Sequence, residues 1–327
     1  MDPLWALRQV AFQLERAGEP TYRVRAFRRA ADVVAGLADG ELERRAANGT
    51  LTDLPGIGKS TAGVITDALA GREPSYLARG REPVVGGQAL RALLKGDCHT
   101  HSDWSDGGSP IREMAEAARD LGHSWVALTD HSPRLTVANG LSADRLRRQL
   151  DAVAAVNEEL APFRVLTGIE VDILDDGALD QHEDLLARLD VVVAGVHSKL
   201  RMPGPAMTRR LVEAVSHPHV DVLGHCTGRL VTGKGRPESE FDAEAVFDAC
   251  VEGGTAVEVN SRPERRDPPG RLLRLAVAMG CSFAIDSDAH APGQLDWLSY
   301  GCERAEECGV TPDRVINTLD VDEFLAR

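Results

Sequence analysis

Seven short apolar runs in residues 93–327 each end in side chains of the kind that bind metals or protons. In chain order their ends read GDCHTH, TDH, GIEVD, GVHS, LGHC, VEVN and DSDAH. A closed β/α barrel gathers the carboxyl ends of all its strands at one face, whereas an open sheet spreads them along an edge. We therefore predict an α/β fold with a distorted seven-stranded (β/α)7 barrel. Helix-like segments separate the runs, as parallel β/α units require, at about 109–122, 142–160, 178–189, 205–216, 242–253 and 268–280.

Charge is divided unevenly along the chain. Residues 1–95 carry 14 Lys and Arg against 11 Asp and Glu, and the other residues carry the remaining 23 of 37 basic and 40 of 51 acidic side chains. All ten histidines lie in the acidic part, which favours bound cations. The strand ends offer more imidazoles and carboxylates than one ion can bind. We expect two or three divalent metal ions in one site, Zn or Mn, with Fe as an alternative.

Residues 1–72 predict a small all-α domain with helices at 3–17, 21–38 and about 40–48. A tight turn at 55–58 begins a further helix, where the amides of Gly56, Ile57 and Gly58 would face a phosphate. Residues 73–92, rich in Pro and Gly, read as a linker that leaves 93–327 for the barrel. The candidates for phosphate contact are Arg23, Arg25, Arg28, Arg29 and Lys59, with a solvated helix face as the alternative for each arginine.

The stretch LTDLPGIGKSTAGVITDALAG at 51–71 resembles the helix-hairpin-helix motif. With EPTYRVRAFRRAADVV before it, residues 1–72 resemble the amino-terminal domain of family X DNA polymerases, which implies a grip on the DNA backbone. A helical bundle whose glycines only turn the chain is the alternative. The lysine of lyase-active members falls on Val64 here, so we expect no lyase activity unless Lys59 substitutes. Only 24 residues, none of them aspartate, separate Gly71 from Gly96, so the polymerase palm is missing.

The motifs HTHSDWSDG, TDH, GIEVD, GVHS, LGHCTGRL, VEVNSRPERRD and DSDAH occur in the order of the PHP (polymerase and histidinol phosphatase) family. Residues 94–310 resemble the PHP domain attached to bacterial family X polymerases, which implies a multinuclear site with Glu170 bridging two ions. Asp106 fits the family pattern better than Asp103, and Asp288 better than Asp286. For any single histidine, a loop cap is the alternative. The implied metal ligands are His99, His101, Asp106, His131, Glu170, His197, His225, Asp288 and His290.

Five further charged residues lie beside the strand ends. Asp130 either orients a ligand imidazole or caps a loop. The other four either clamp substrate phosphates or are ordinary rim charges, and they are Lys199, Arg229, Arg262 and Arg265. We expect structural roles for the histidines outside the motifs, which are His123, His182, His217 and His219.

These features predict a metal-dependent phosphoester hydrolase that acts on DNA in repair, as a 3′–5′ exonuclease, a 3′-phosphatase or an abasic-site endonuclease. A small-molecule phosphatase of the histidinol-phosphatase type is one alternative, and a non-catalytic DNA- or partner-binding module is another. The start of the chain has no signal-peptide pattern, and no segment approaches the roughly 18 apolar residues of a membrane span. We expect a cytoplasmic protein that binds DNA and a phosphorylated substrate but no membrane, and its oligomeric state stays open.

Overall fold

A computed structural model describes residues 1–77 and 86–327. The chain divides into two compact units, Met1–Pro83 and Val84–Arg327, and each is described by itself. Among the described helices, none combines the length and the apolar character that a membrane span requires. Of the linker predicted at 73–92, residues 78–85 lie outside the described residues.

The first unit is all-helical. Its helices are α1 (Pro3–Arg16), α2 (Thr21–Ala35), α3 (Glu41–Ala47) and α4 (Lys59–Leu69). The Asp2 side chain accepts a hydrogen bond from the Leu4 amide at 3.0 Å and caps the start of α1. Buried apolar side chains at helical spacing, among them Leu7, Phe27 and Ile65, form one core. Predicted helix ends and observed ones differ by up to three residues.

The second unit is an α/β fold with one parallel six-stranded sheet, whose strands neighbour one another in chain order. This order is what a right-handed succession of β/α units produces. Its elements are α5 (Gln88–Leu93), α6 (Ile111–Asp120), β1 (Trp125–Leu128), α7 (Ala143–Leu160), β2 (Arg164–Asp172), α8 (Glu183–Leu186), β3 (Val191–Gly195), α9 (Gly204–Val215), β4 (Val222–Leu223), α10 (Ala243–Gly253), β5 (Ala256–Asn260), α11 (Gly270–Met279), β6 (Phe283–Asp286), α12 (Leu298–Cys308) and α13 (Val321–Leu325).

The seven predicted strands are not confirmed, because the described residues form a curled half-barrel of six. The first predicted run, 93–101, forms only isolated parallel bridges, which join Thr100 to Leu128 and to Ala289, although the Asp97 carbonyl also accepts from the Ala127 amide of β1 at 2.8 Å. Within this run the Cys98 amide donates to the Asp286 carboxylate at 2.8 Å rather than to a strand carbonyl. The amides of His99 and Thr100 also donate to side chains, so the run accepts main-chain hydrogen bonds from β1 but lacks the donor half of a regular strand ladder.

Two apolar layers hold the half-barrel. On β3, Val191 and Val193 face the interior cluster that includes Trp125, whereas Val192 and Ala194 pack in the cluster that contains the helices. This alternation is the period of two that a strand imposes, and burial on both sides explains the continuous apolar run VVVAG. The polar residues that follow the strands consequently collect at one end of the half-barrel.

Helix α5 lies inside the predicted linker but belongs to the second unit. The Glu306 carboxylate on α12 accepts from the Gly87 amide at 3.0 Å and from the Leu90 amide at 3.3 Å. Leu90 is buried in the same core as the helices of the half-barrel. The linker prediction therefore extends too far at its carboxyl end. The helix predicted at 178–189 is also shorter, because only Glu183–Leu186 is α-helical.

Candidate metal centre

The nine predicted ligands converge at the carboxyl ends of the strands. Three precede β1, two follow β6, and the ends of β1, β2, β3 and β4 supply one each, so six parts of the half-barrel position them. In each of four overlapping groups, the candidate ligand atoms all lie within 4.8 Å of one another. These groups are His101, Asp106, His131 and His290; His99, Glu170 and His225; His99, His101 and Asp288; and His131, Glu170 and His197.

Glu170 lies at the middle of this cluster, at the buried end of β2. One carboxylate oxygen is 2.8 Å from Nδ1 of His131 and 3.3 Å from Nε2 of His99. The other oxygen is 2.8 Å from Nε2 of His225 and 3.0 Å from Nε2 of His197. Burial opposes ionisation, yet the surrounding imidazoles hold the pKa of Glu170 well below its usual range. The cluster is therefore built around a buried carboxylate anion.

Many of the imidazole nitrogens are buried without a hydrogen-bond partner among the described residues, although carboxylate oxygens lie nearby. Buried polar atoms are otherwise nearly always satisfied, because leaving one unpaired costs free energy. Imidazole nitrogen and carboxylate oxygen are the donor set of Zn²⁺, Mn²⁺ and Fe²⁺ sites. The residues present thus fit divalent ions. The unpartnered atoms are Nε2 of His99, both ring nitrogens of His101, Nδ1 of His131, Nε2 of His197 and Nδ1 of His225.

His101 has the electronic state that a metal ligand needs. Burial, together with the neighbouring rings of His290 and His131, lowers the pKa of His101 well below its usual range, so its ring is neutral. The ring centroids lie 4.1 Å from His290 and 4.5 Å from His131. Three imidazoles this close, with Asp106 beside two of them, leave nitrogen lone pairs facing a common space.

The backbone is also shaped for this cluster. A Cβ added to Gly195 would lie 3.0 Å from an oxygen of Glu170 and 3.0 Å from a ring carbon of His225, so only glycine leaves room here. His225 and Asp288 have φ values of 24° and 51°, in the left-handed region that non-glycine residues rarely adopt. Such local strain persists where the surrounding structure imposes it, commonly at functional sites.

Two carboxylates that were not assigned a role from the sequence orient the imidazoles. Glu258 on β5 lies 2.6 Å from Nδ1 of His99 and accepts from the His225 amide. Asp172 accepts from the His197 amide at 3.1 Å and lies 3.3 Å from Nδ1 of the same ring. Each contact fixes which ring nitrogen faces the cluster. The available signal was the position of both acids at the ends of apolar runs.

Asp130 does not touch the His131 ring and instead holds a loop. Its carboxylate accepts from the Ser102 amide at 2.8 Å, from the Ser102 hydroxyl at 2.6 Å and from the Gln149 side chain at 2.6 Å. The loop that begins at Ser102 carries Asp106, which is exposed and lies 3.4 Å from Nε2 of His290. Of the two roles expected for Asp130, the geometry favours the loop cap.

A cavity of about 450 Å³ opens over the cluster. Two of the predicted clamp residues line it, together with apolar side chains such as Leu135 and Val137. Arg265 lies 3.1 Å from one oxygen of Asp288, and Arg262 lies 3.4 Å from the other. The cavity thus combines anionic and neutral ligands below with two guanidinium groups at the side, an arrangement that suits a phosphate.

The other two predicted clamp residues do not line this cavity. The Lys199 side chain is exposed and pairs with Asp175. The Arg229 guanidinium donates to the main-chain carbonyls of Arg265, at 3.1 Å, and Arg266. Lys199 therefore matches the alternative of an ordinary rim charge, and Arg229 supports the backbone behind Arg265. The sequence could not separate these roles because all four residues follow strand ends.

In the first unit, the turn before α4 uses two of its predicted phosphate-facing amides itself. The Ile57 amide donates to the Leu54 carbonyl at 3.0 Å, and the Gly58 amide donates to the Thr61 hydroxyl at 2.9 Å. Gly56 has a φ of 104°, which requires glycine. Of the three predicted amides, only that of Gly56 donates to no acceptor among the described residues.

The basic residues of the first unit divide into two kinds. Arg25, Arg29 and Lys59 are exposed. Arg28 instead donates to the buried Glu15 carboxylate at 2.6 and 2.9 Å. The sequence had suggested Arg28 as a phosphate contact. Because this ion pair occupies its guanidinium, Arg28 is instead a structural residue. Arg25 and Lys59 stay candidates.

A parallel half-barrel with imidazoles and carboxylates clustered at its strand ends defines a β/α protein with a candidate metal centre. The family model described as "PHP domain" matches residues 97–262, and the model described as "Helix-hairpin-helix domain" matches residues 1–73. The chain belongs to the PHP domain family and carries an amino-terminal helix-hairpin-helix domain.

Similar proteins include the DNA polymerase/3′-5′ exonuclease PolX of Bacillus subtilis (strain 168), 41% identical over 237 residues. That alignment covers 72% of this chain but only 41% of the length of PolX. A probable phosphatase of Thermoanaerobacter sp. (strain X514) is 29% identical over 233 residues, covering 68% of this chain and 89% of that protein. Among solved structures, histidinol phosphate phosphatase from Lactococcus lactis, complexed with Zn, L-histidinol and phosphate, matches with 16% identity and a TM-score of 0.46, covering 67% of this chain and 95% of that one.

Proposed function

We propose that this protein is a metal-dependent phosphoester hydrolase whose substrate is DNA, with residues 1–72 as the DNA-binding domain and 93–327 as the hydrolase. The observation that carries the proposal is the buried Glu170 carboxylate among imidazoles whose nitrogens lack partners. Membership of the PHP family supports the hydrolase class. The nine predicted residues would hold two or three divalent ions, Zn or Mn, with Fe as an alternative.

Bound divalent ions would supply Lewis acidity at the phosphoryl oxygens and activate water near neutral pH. The chain's own residues then bind and orient the substrate. Arg262 and Arg265 face the cavity and offer N–H donors to phosphate oxygens. Glu258 and Asp172 keep the His99 and His197 rings in one orientation, so the site is organised before substrate arrives.

DNA as the substrate is supported by the helix-hairpin-helix domain and by the similarity to PolX. For the reaction on DNA, we propose a 3′–5′ exonuclease, a 3′-phosphatase or an abasic-site endonuclease acting in repair. Val64 stands where a lyase lysine would be, and it is buried in the helical core, which supports the expected lack of lyase activity.

A small-molecule phosphatase is the second candidate. The similarity to a probable phosphatase that the alignment covers to 89% favours it, because such a protein has little room for a DNA-binding domain. A non-catalytic binding module is the third, and the presence of all nine predicted ligands argues against it.

The test uses the full chain, stripped with EDTA and reloaded with Mn²⁺ or Zn²⁺. Substrates are 5′-labelled and 3′-labelled duplexes and p-nitrophenyl phosphate. We expect metal to restore the cleavage of labelled DNA, with products that reveal the polarity. Failure of reloaded protein to cleave either kind of substrate would contradict a hydrolase.

A double variant separates the first two candidates. Replacing Arg25 and Lys59 by Ala should raise KM for DNA and leave p-nitrophenyl phosphate hydrolysis unchanged. The matched control is Arg8→Ala, because Arg8 is an exposed arginine of α1 that is not among the predicted DNA contacts. Equal kinetics for the double variant and wild type on DNA would favour the small-molecule phosphatase.

A further inference from the structure

A second cavity, of about 510 Å³, adjoins the one over the metal centre. Although it lies in the acidic part of the chain, its lining holds more basic than acidic side chains. Glu307 is the one carboxylate among the described residues that line it. Four arginines line it, and they are Arg229, Arg266, Arg274 and Arg304.

The positive charge of this cavity is only partly neutralised, by an ion pair of 3.5 Å between Arg229 and Glu238. Among the described residues, no carboxylate lies within ion-pair distance of the exposed Arg266 and Arg274 side chains. The Arg304 guanidinium is buried and donates to main-chain carbonyls, including those of Asn260, at 3.2 Å, and Asp267, at 3.5 Å. Burial and a neighbouring guanidinium lower the pKa of Arg304 to about 10. Like charges held this close are stabilised by an anion between them.

The two cavities share one wall. In the segment after β5, Arg265 lines the metal-centre cavity, and the next residue, Arg266, lines the second one. In the segment after β4, Leu230 lines the metal-centre cavity, and the next residue, Val231, lines the second one. Arg229 joins the segments by donating to the carbonyls of Arg265 and Arg266.

The backbone of Arg266 is held in an unusual conformation at this wall. Its φ of 49° lies in the left-handed region, and its amide donates to the Arg262 carbonyl at 3.1 Å. Residues other than glycine rarely adopt this conformation, because it is sterically unfavourable. It directs consecutive arginine side chains to opposite sides of the wall, one to each cavity.

We propose that the second cavity binds a phosphodiester of the DNA strand whose reacting end occupies the metal-centre cavity. The inference rests on the proposed function and deepens it. A guanidinium offers several N–H donors to phosphate oxygens, and the exposed Arg266 and Arg274 have theirs free of carboxylates among the described residues. The guanidinium groups of Arg229 and Arg304 donate to main-chain carbonyls and contribute positive charge. A monophosphate ester fills only the first cavity, so the second one selects a polynucleotide.

The test compares wild type with Arg266→Ala/Arg274→Ala on a short single-stranded oligonucleotide, a mononucleotide and p-nitrophenyl phosphate. Neither residue contacts the metal centre. We expect KM and Kd for the oligonucleotide to rise about tenfold, with the small substrates turned over as by wild type. Since each phosphate contact contributes about −0.7 to the slope of log K against log salt, the slope should become shallower by up to about 1.4. Fluorescence anisotropy measures Kd and the slope without requiring turnover.

The matched control is Arg209→Ala, an exposed arginine of α9 that lines neither cavity. An unchanged oligonucleotide Kd and salt slope in the double variant would overturn the proposal. A changed inhibition of p-nitrophenyl phosphate hydrolysis by inorganic phosphate, with oligonucleotide binding unaffected, would overturn it in favour of a free-anion site. A wild-type chain that cleaves none of the substrates contradicts the proposed function instead, and anisotropy then still decides whether the cavity binds DNA.

Discussion

The metal centre and the turn before α4 were both predicted from short motifs, but they differ in whether their polar groups already have hydrogen-bond partners in the fold. At the centre, residues far apart in sequence meet, and several buried nitrogens are left without partners. In the turn, the Ile57 and Gly58 amides are consumed by the fold itself. Convergence of buried, unsatisfied groups therefore points to a ligand more strongly than a local motif does, since a turn needs many of the same groups for its own stability.

Glu170→Gln tests whether the buried cluster is the reaction centre, because the substitution keeps the shape of the side chain and removes its charge. Because a metal ion contributes several kcal/mol of transition-state stabilisation, we expect hydrolysis to fall about 10³-fold. Assays with p-nitrophenyl phosphate measure it. Glu183→Gln, on an exposed glutamate of α8, is the matched control. Wild-type activity in Glu170→Gln would show that the cluster is not the reaction centre.

Glu258→Gln tests whether the acids around the ligands act through them. The variant retains a hydrogen-bond acceptor for His99 but lacks the charge, so we expect a 10- to 100-fold loss of metal affinity or activity. Titration of metal-free protein with Zn²⁺ measures the affinity. The metal-loaded variant should recover activity at high metal concentration, whereas a loss that no metal concentration reverses would argue for a direct role in the reaction.

The resemblance of the ordered strand-end motifs to the PHP family implied the nine residues, and parallel strands bring such ends together. The sequence could not show that the first run lacks a regular strand ladder, since its amides donate to side chains, one of which, that of Asp286, lies 188 residues away from Cys98. Arg28 shows the same limit, because its partner Glu15 lies on another helix. Nor does spacing tell which arginine after a strand turns inward.

In the first unit, Arg28→Ala should change the stability of the fold, whereas Arg25→Ala should change DNA binding. Loss of Arg28 removes the guanidinium that lies 2.6 Å from the buried Glu15 carboxylate, so we expect the free energy of unfolding to fall by about 2 kcal/mol. Loss of the exposed Arg25 should leave stability unchanged and weaken DNA binding. Urea unfolding and anisotropy measure the two quantities. Equal stabilities would show that the ion pair contributes nothing and would return Arg28 to the DNA-contact candidates.

His123 differs from the histidines of the metal centre. Its ring nitrogens are buried and have no hydrogen-bond partner among the described residues, but it lies outside the groups that could hold a metal. Burial and the nearby charge of Arg91 lower its pKa from 6.5 to about 3. The unfolded chain therefore binds a proton below pH 6.5 that the folded chain does not, and acidification destabilises the fold.

Between pH 8 and pH 5.5, this one group should reduce the free energy of unfolding by about 1.4 kcal/mol. We expect His123→Leu to lose that part of the pH dependence while keeping its full metal content. Denaturant unfolding at the two pH values measures the difference. A variant with the same pH dependence as wild type would show that His123 titrates normally, and a loss of metal would place it in the centre.

The most direct test of the central claim is the metal content of the purified full chain, measured by inductively coupled plasma mass spectrometry after incubation with Mn²⁺ or Zn²⁺ and dialysis. The buried cluster predicts about two or three ions per chain. It also predicts a clear loss of bound metal in Glu170→Gln, with no loss in Glu183→Gln. Fewer than one ion per chain in the wild type, or equal content in Glu170→Gln, would contradict a multinuclear metal centre.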